Sequence, residues 1–179
     1  MSLFLRPLAA AVVAVSLPVL TVAAHAAAHG GAALPEPVRV PAGHKVVLET
    51  VGVGEITYEC RAQDGAHAWV FAGPEAELRG RDGRRIGRYF GPPATWRADD
   101  GSALTGTQLA VAPAGDGNIP LQLVQASPAT GSGLMQGVTH IQRLATRGGV
   151  APAMPCDAGR AGQKQVVPYQ ADYVFWARG

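Results

Sequence analysis

The chain is short of the residues and patterns that usually announce chemistry. It has two cysteines, Cys60 and Cys156. It has no G-x-G-x-x-G turn opening a helix, so nothing points to a dinucleotide-binding unit. It has no G-x-S-x-G elbow. The nearest serine motif, Gly131-Ser132-Gly133, lacks the flanking strand and helix that expose a nucleophile. Its five histidines form no H-x-H or H-E-x-x-H pairing. A formal charge of +2, carried by scattered basic residues, leaves no electrostatic footprint for nucleic acid or an anionic membrane. Helical periodicity is missing too, and the first stretch of the chain is the one place that escapes this description.

That stretch reads as an export signal. Arg6 is the one charge before Leu8–Val22, an apolar run broken by Ser16 and Pro18, and Ala24-His25-Ala26 follows as a small-x-small cleavage pattern. The run is shorter than the roughly 20 residues needed to cross a bilayer, which favours a cleaved signal over an anchor. Residues 1–26 are therefore assigned as a signal peptide and 27–37, rich in Ala, Gly and Pro, as a flexible leader. His25 and His29 imitate a metal pair but fall in these segments. Residues 38–179 then form a single domain, long enough to bury a core. Its expected location is the periplasm or the exterior.

An exported chain meets oxidising conditions, where two cysteines are most simply a disulfide. Two free thiols or a reactive thiol are the alternatives. The cysteines lack C-x-x-C spacing and no histidine adjoins either, so a metal pair is disfavoured. In the chain-entropy picture, closing a loop of about a hundred residues contributes about 4–5 kcal/mol.

From Val38 onward the apolar pattern has period two. Strands are expected at His44–Val51, Glu55–Arg61, His67–Ala72, Ile86–Phe90, Leu104–Val111, Ile119–Ala126, Val138–Leu144 and Tyr169–Ala177. In the last of these Tyr169, Ala171, Tyr173 and Phe175 share a face. Asp64-Gly65, Asp82-Gly83 and Asp100-Gly101 are evenly spaced, and Asp-Gly suits tight hairpin turns. Pro74–Leu78 is read as a possible helical turn, and Gly148–Gly162 as a loop. The fold class is all-β: an antiparallel β-sandwich or small β-barrel of about eight or more short strands with long loops.

Several ordered motifs now align with a known pattern. They are Gly87-Arg88-Tyr89-Phe90-Gly91-Pro92-Pro93-Ala94-Thr95-Trp96, Asp100-Gly101-Ser102, Val138–Pro152, Cys156-Asp157 and Val167–Tyr173. Together they resemble the DUF3455 family of exported bacterial and fungal proteins. The resemblance implies a secreted domain of unknown function. It departs from the family pattern at Arg88, where the pattern has histidine, and in extra residues between Gly91 and Trp96.

Candidate chemistry is sparse. Asp99 and Asp100 are adjacent and would leave a strand on opposite faces, so they do not make a carboxylate pair. His44, His67 and His140 lack metal-ligand spacing. No metal or cofactor is expected, and no residue is assigned as catalytic. Trp69, Tyr89 and Trp96 offer flat faces for a carbohydrate or other small ligand, weighed against simple core packing. His140, Gln142 and Arg143 make an unusually polar strand, with Arg143 facing either an acidic ligand or an internal acid such as Asp172. The reading is an exported soluble domain that binds a ligand or associates with the cell envelope without catalysis. The alternatives are a secreted hydrolase of polysaccharide or ester and a structural envelope protein. Nucleic acid and stable membrane insertion are not expected. Intact-mass analysis of exported material should show no thiol alkylation until reductant is added; labelling of two thiols beforehand would refute the bond.

Overall fold

Period-two patterning without an unpaired edge produces one antiparallel sheet that closes on itself. The computed structural model describes residues 34–179; the expected signal peptide and leader residues 27–33 lie outside the described residues. The strands are β1 (His44–Gln63), β2 (Ala66–Arg79), β3 (Arg85–Phe90), β4 (Thr95–Ala98), β5 (Ala103–Ala112), β6 (Leu121–Ala126), β7 (Val138–Gly148) and β8 (Lys164–Arg178). Each pairs with its successor, and β8 pairs back with β1 to give a closed barrel. Of the two architectures expected, the barrel is the one formed. Its closure depends on the length of β1, which pairs with β8 over His44–Glu59 and with β2 over Val51–Gln63.

Two expected strands, His44–Val51 and Glu55–Arg61, are therefore one. Gly52 and Gly54 do not break it; they thin it. A Cβ on Gly52 would enter the Tyr173 ring, and one on Gly54 would strike Ala76 and the Glu75 carbonyl. Pro74–Leu78, expected as a helical turn, belongs to β2 because its alternation sends Ala76 and Leu78 inward and Glu75 and Glu77 outward. β4 was not anticipated, since four residues carry too little pattern.

The middle of the barrel is filled by side chains. Tyr169, Ala171, Tyr173 and Phe175 of β8 all point inward and are buried. Tyr89 of β3 stacks on Trp96 of β4 at 4.6 Å between ring centroids and tilts against Tyr173 at 5.1 Å. A second, smaller cluster lies outside the wall. Leu34–Val40 crosses the outer face of β5, β6 and β7, with a 3-10 turn at Glu36–Val38. Val38, at 0 % exposure, packs with Ala112 and Leu123 there. Gln142 fixes this strap by donating to the Val38 carbonyl at 2.6 Å and accepting from Trp176 Nε1 at 2.9 Å. Leu34–Pro37, the end of the expected leader, is thus part of the folded wall.

The Cys60–Cys156 disulfide joins β1 to the loop between β7 and β8 across 96 positions of sequence. A loop of that size corresponds to about 4–5 kcal/mol of unfolded-state entropy. Leu78 is fully buried in the barrel. Leu78→Ala is expected to lower the unfolding free energy by about 2–5 kcal/mol, measured by urea denaturation. A variant as stable as the parent would contradict its inward placement.

Candidate ligand-binding site

The barrel has two unlike ends. One gathers the β1–β2 hairpin, the β3–β4 turn, and the loops that follow β5 and β7; the other gathers the hairpins after β2 and β4 and the loop after β6. The second end is tied shut by its own backbone. Asp100 Oδ1 accepts from the Ser102 hydroxyl and amide at 2.6 and 2.9 Å, and Asp100 Oδ2 accepts from the Leu134 amide at 2.8 Å. Ser102 Oγ in turn accepts from the Met135 amide at 3.2 Å. These donors, Ser102 first, hold the Asp100 carboxyl below its ordinary range. Asp100 and Ser102 are architectural.

At the first end the wall turns a charge inward. Ile141 and Arg143 are two apart on β7 and lie opposite Phe175 and Tyr173 of β8. Opposed residues of an antiparallel pair share a face, so Arg143 follows the core residues into the barrel. Its Nε and Nη2 donate to the Pro120 carbonyl at 3.2 and 2.9 Å. Asp172, the acid expected as its partner, leaves the other face of β8 and accepts from Arg81 at 3.0 Å. Among the described residues no carboxylate pairs with Arg143.

Four tyrosines surround this charge. Tyr58 donates to the Gly149 carbonyl at 2.8 Å, and the Tyr169 and Tyr173 hydroxyls lie 3.2 Å apart. Burial pushes the pKa values of Tyr58, Tyr89, Tyr169 and Tyr173 upward, and Arg143 draws each back down. All four are neutral donors at ordinary pH. Phe71, 51 % exposed, meets Tyr58 edge-on at 6.2 Å. Trp69 lies beyond it, opposite Cys60, and its Nε1 donates to the Met154 carbonyl at 2.8 Å. Trp69 and the disulfide thereby hold the same loop at two points.

The expected site residues therefore separate. Arg143 and Tyr89 face the same interior, where the arginine's charge acts on the phenol, and Trp96 backs Tyr89 with its Nε1 buried and unpartnered. Tyr89 and Trp96 are buried against one another and present no ring face to solvent. Trp69 belongs to the loop latch. His140 is elsewhere: it leaves β7 on the outer face, its ring 4.7 Å from that of His44. Tyr58, Phe71 and Pro120 were not anticipated. Period two was the available signal for Arg143, since it shares parity with Ile141; the approach of Pro120 depends on loop geometry and left none. On the outer wall, Glu55, Glu75, Glu77, Arg85 and Arg88 line an open groove. There Arg88 pairs with Glu75 at 3.8 Å, and Arg79 pairs with Glu77 at 2.9 Å. Arg88, which stands where the resembled pattern has histidine, also lies over the Phe90 ring at 4.5 Å.

An eight-stranded antiparallel barrel, closed by its first and last strands and carrying a disulfide-latched loop over a tyrosine-lined arginine, defines the class of protein. Residues 41–177 match the family described as "Protein of unknown function (DUF3455)", and the chain belongs to that family. No curated protein and no solved structure matches the chain.

His140 yields a pH prediction. Burial, His44 and Arg178 lower its pKa from the ordinary value of 6.5. The folded state thus binds this proton less readily than the unfolded chain does. Its contribution to stability is complete above pH 6.5 and is lost as pH falls from there through the lower folded value. Thermal melts between pH 8 and 5 should show the parent losing more stability than His140→Gln. Parallel curves would contradict this.

Proposed function

We propose that the protein is an exported, non-catalytic binding module whose ligand enters at the Arg143 end of the barrel. Export is supported by the signal-like residues 1–26 and by a disulfide of the kind that persists in oxidising compartments. Among the described residues no helix is long and apolar enough to cross a membrane. The barrel's polarity also runs opposite to that of a membrane barrel, with an aromatic and aliphatic interior and outward Glu75, Glu77, Arg79, Arg85 and Arg88. β3, β4 and β6 have 6, 4 and 6 residues, against the 9–11 or so that a spanning strand needs.

The observation that carries the binding reading is Arg143. A half-buried guanidinium turned toward a core is ordinarily matched by a carboxylate; here it meets one carbonyl and four phenols. Such a group is poised for a partner from outside. The hydrolase alternative finds less support, because His140 and Arg143 leave opposite faces of β7 and the groove acids Glu75 and Glu77 are held by arginines.

The test uses the protein's own tryptophans. Trp96 stacks directly on Tyr89, so occupation of the Arg143 end is expected to change the emission. Titration with a panel of neutral and acidic mono- and oligosaccharides should give a saturable change for at least one member, weakened tenfold or more in Arg143→Ala. Release of reducing ends under the same conditions would favour the hydrolase. A flat response across the panel would count against binding at this end.

A further inference from the structure

The protons inside the Arg143 end do not balance. A guanidinium presents five N–H donors and no acceptor. Arg143 spends Nε and Nη2 on Pro120, and its Nη1 protons have no partner among the described residues. Tyr58 gives its one hydroxyl proton to Gly149. Tyr169 and Tyr173 share one hydrogen bond, which uses one of their two protons and leaves the other over. Tyr89 makes no hydrogen bond among the described residues, although its ring is held by Trp96 and Tyr173. The buried Trp96 Nε1 and the Thr50 hydroxyl, the latter opposite Tyr173 on β1, are unpartnered as well. Of the acceptors at this end, the Pro120 and Gly149 carbonyls are already engaged, and Gln122, opposite Arg143 on β6, donates Nε2 to Gln108 and keeps its own Oε1 as one neutral acceptor against these donors.

This is a surplus of donors around one fixed positive charge. Water would satisfy part of it but brings two protons of its own and no charge. A carboxylate brings only lone pairs, carries the compensating charge, and matches the planar fork of a guanidinium with its two oxygens. The tyrosines support such a guest because burial keeps them protonated. The exposed ring of Phe71, adjoining Tyr58, supplies an apolar surface for the rest of the molecule.

We propose that the Arg143 end takes a small organic carboxylate, its oxygens held by the Arg143 guanidinium and the free tyrosine hydroxyls, and its body against Phe71. This deepens the binding reading above and rests on it: it adds that the ligand is an acid.

Calorimetric titration of the purified full chain at pH 7 separates the two claims. The probes are acetate, benzoate and glucuronate, each set against its neutral counterpart acetamide, benzamide or glucose, with inorganic phosphate as a further arm. At least one acid should bind tenfold or more tightly than its counterpart. Arg143→Gln should abolish that preference. Tyr89→Phe, which keeps the ring stack and removes only the hydroxyl, should weaken the acid several-fold with an unchanged unfolding midpoint. If Arg143→Gln fails to fold, Tyr89→Phe alone decides. Acid and neutral partner binding equally, with both variants inert, would overturn the acid proposal and leave the binding reading standing. Phosphate binding as tightly as the best acid would overturn the organic carboxylate. No binding by any probe would sink the acid proposal, and the saccharide panel would then judge the binding reading separately.

Discussion

The whole structure depends on β1 being long enough to serve two neighbours at once. Its twenty residues give one half of the strand mainly to β8 and the other mainly to β2, with an overlap in the middle where both pair with it. That overlap turns a meander into a closed wall without a free edge. Gly52 and Gly54 lie within it, and their missing side chains let Tyr173 and Ala76 come down onto the strand. The aromatic interior follows from that close approach. Tyr173 fills the space above Gly52 and in turn positions Tyr89, and Trp96 completes the stack.

Closure also explains why polarity is distributed as it is. In a wall with alternating side chains, every residue is committed to inside or outside, and β7 puts Gln142 and Arg143 on opposite sides. Gln142 becomes a fastening for the outer strap, buried despite being polar because both ends of its amide are used. Arg143 becomes an interior charge. The same rule sends Asp172 outward to Arg81 while its neighbour Tyr173 faces in. One strand step separates an ion pair from a half-satisfied guanidinium.

Much of this was legible in the chain. Period two and the Asp-Gly turns identified an antiparallel all-β domain, and the inward set Tyr169, Ala171, Tyr173 and Phe175 could be read directly from alternation. Two cysteines in a chain expected to be exported pointed to the Cys60–Cys156 bond. What failed did so for physical reasons. Glycine usually punctuates, so β1 was divided where its glycines serve close packing instead. Pro74-Glu75-Ala76 has the composition of a helix start, yet pairing with β1 and β3 overrode that local preference. The candidate site was half legible: Arg143 was marked by its oddness on an apolar strand, whereas its separation from His140 required the pairing register. Trp69 is equally a ligand face or a packed ring in the sequence, which carries no mark of the Met154 carbonyl, 85 positions away, that its Nε1 meets.

The outer strap carries a consequence in time. Val38 packs on Ala112 and Leu123, and the Val38 carbonyl is held by Gln142. In a chain synthesised from its amino end, none of those partners exists when Val38 emerges. The strap, residues 34–40, therefore has no docking surface until the fifth, sixth and seventh strands have come together.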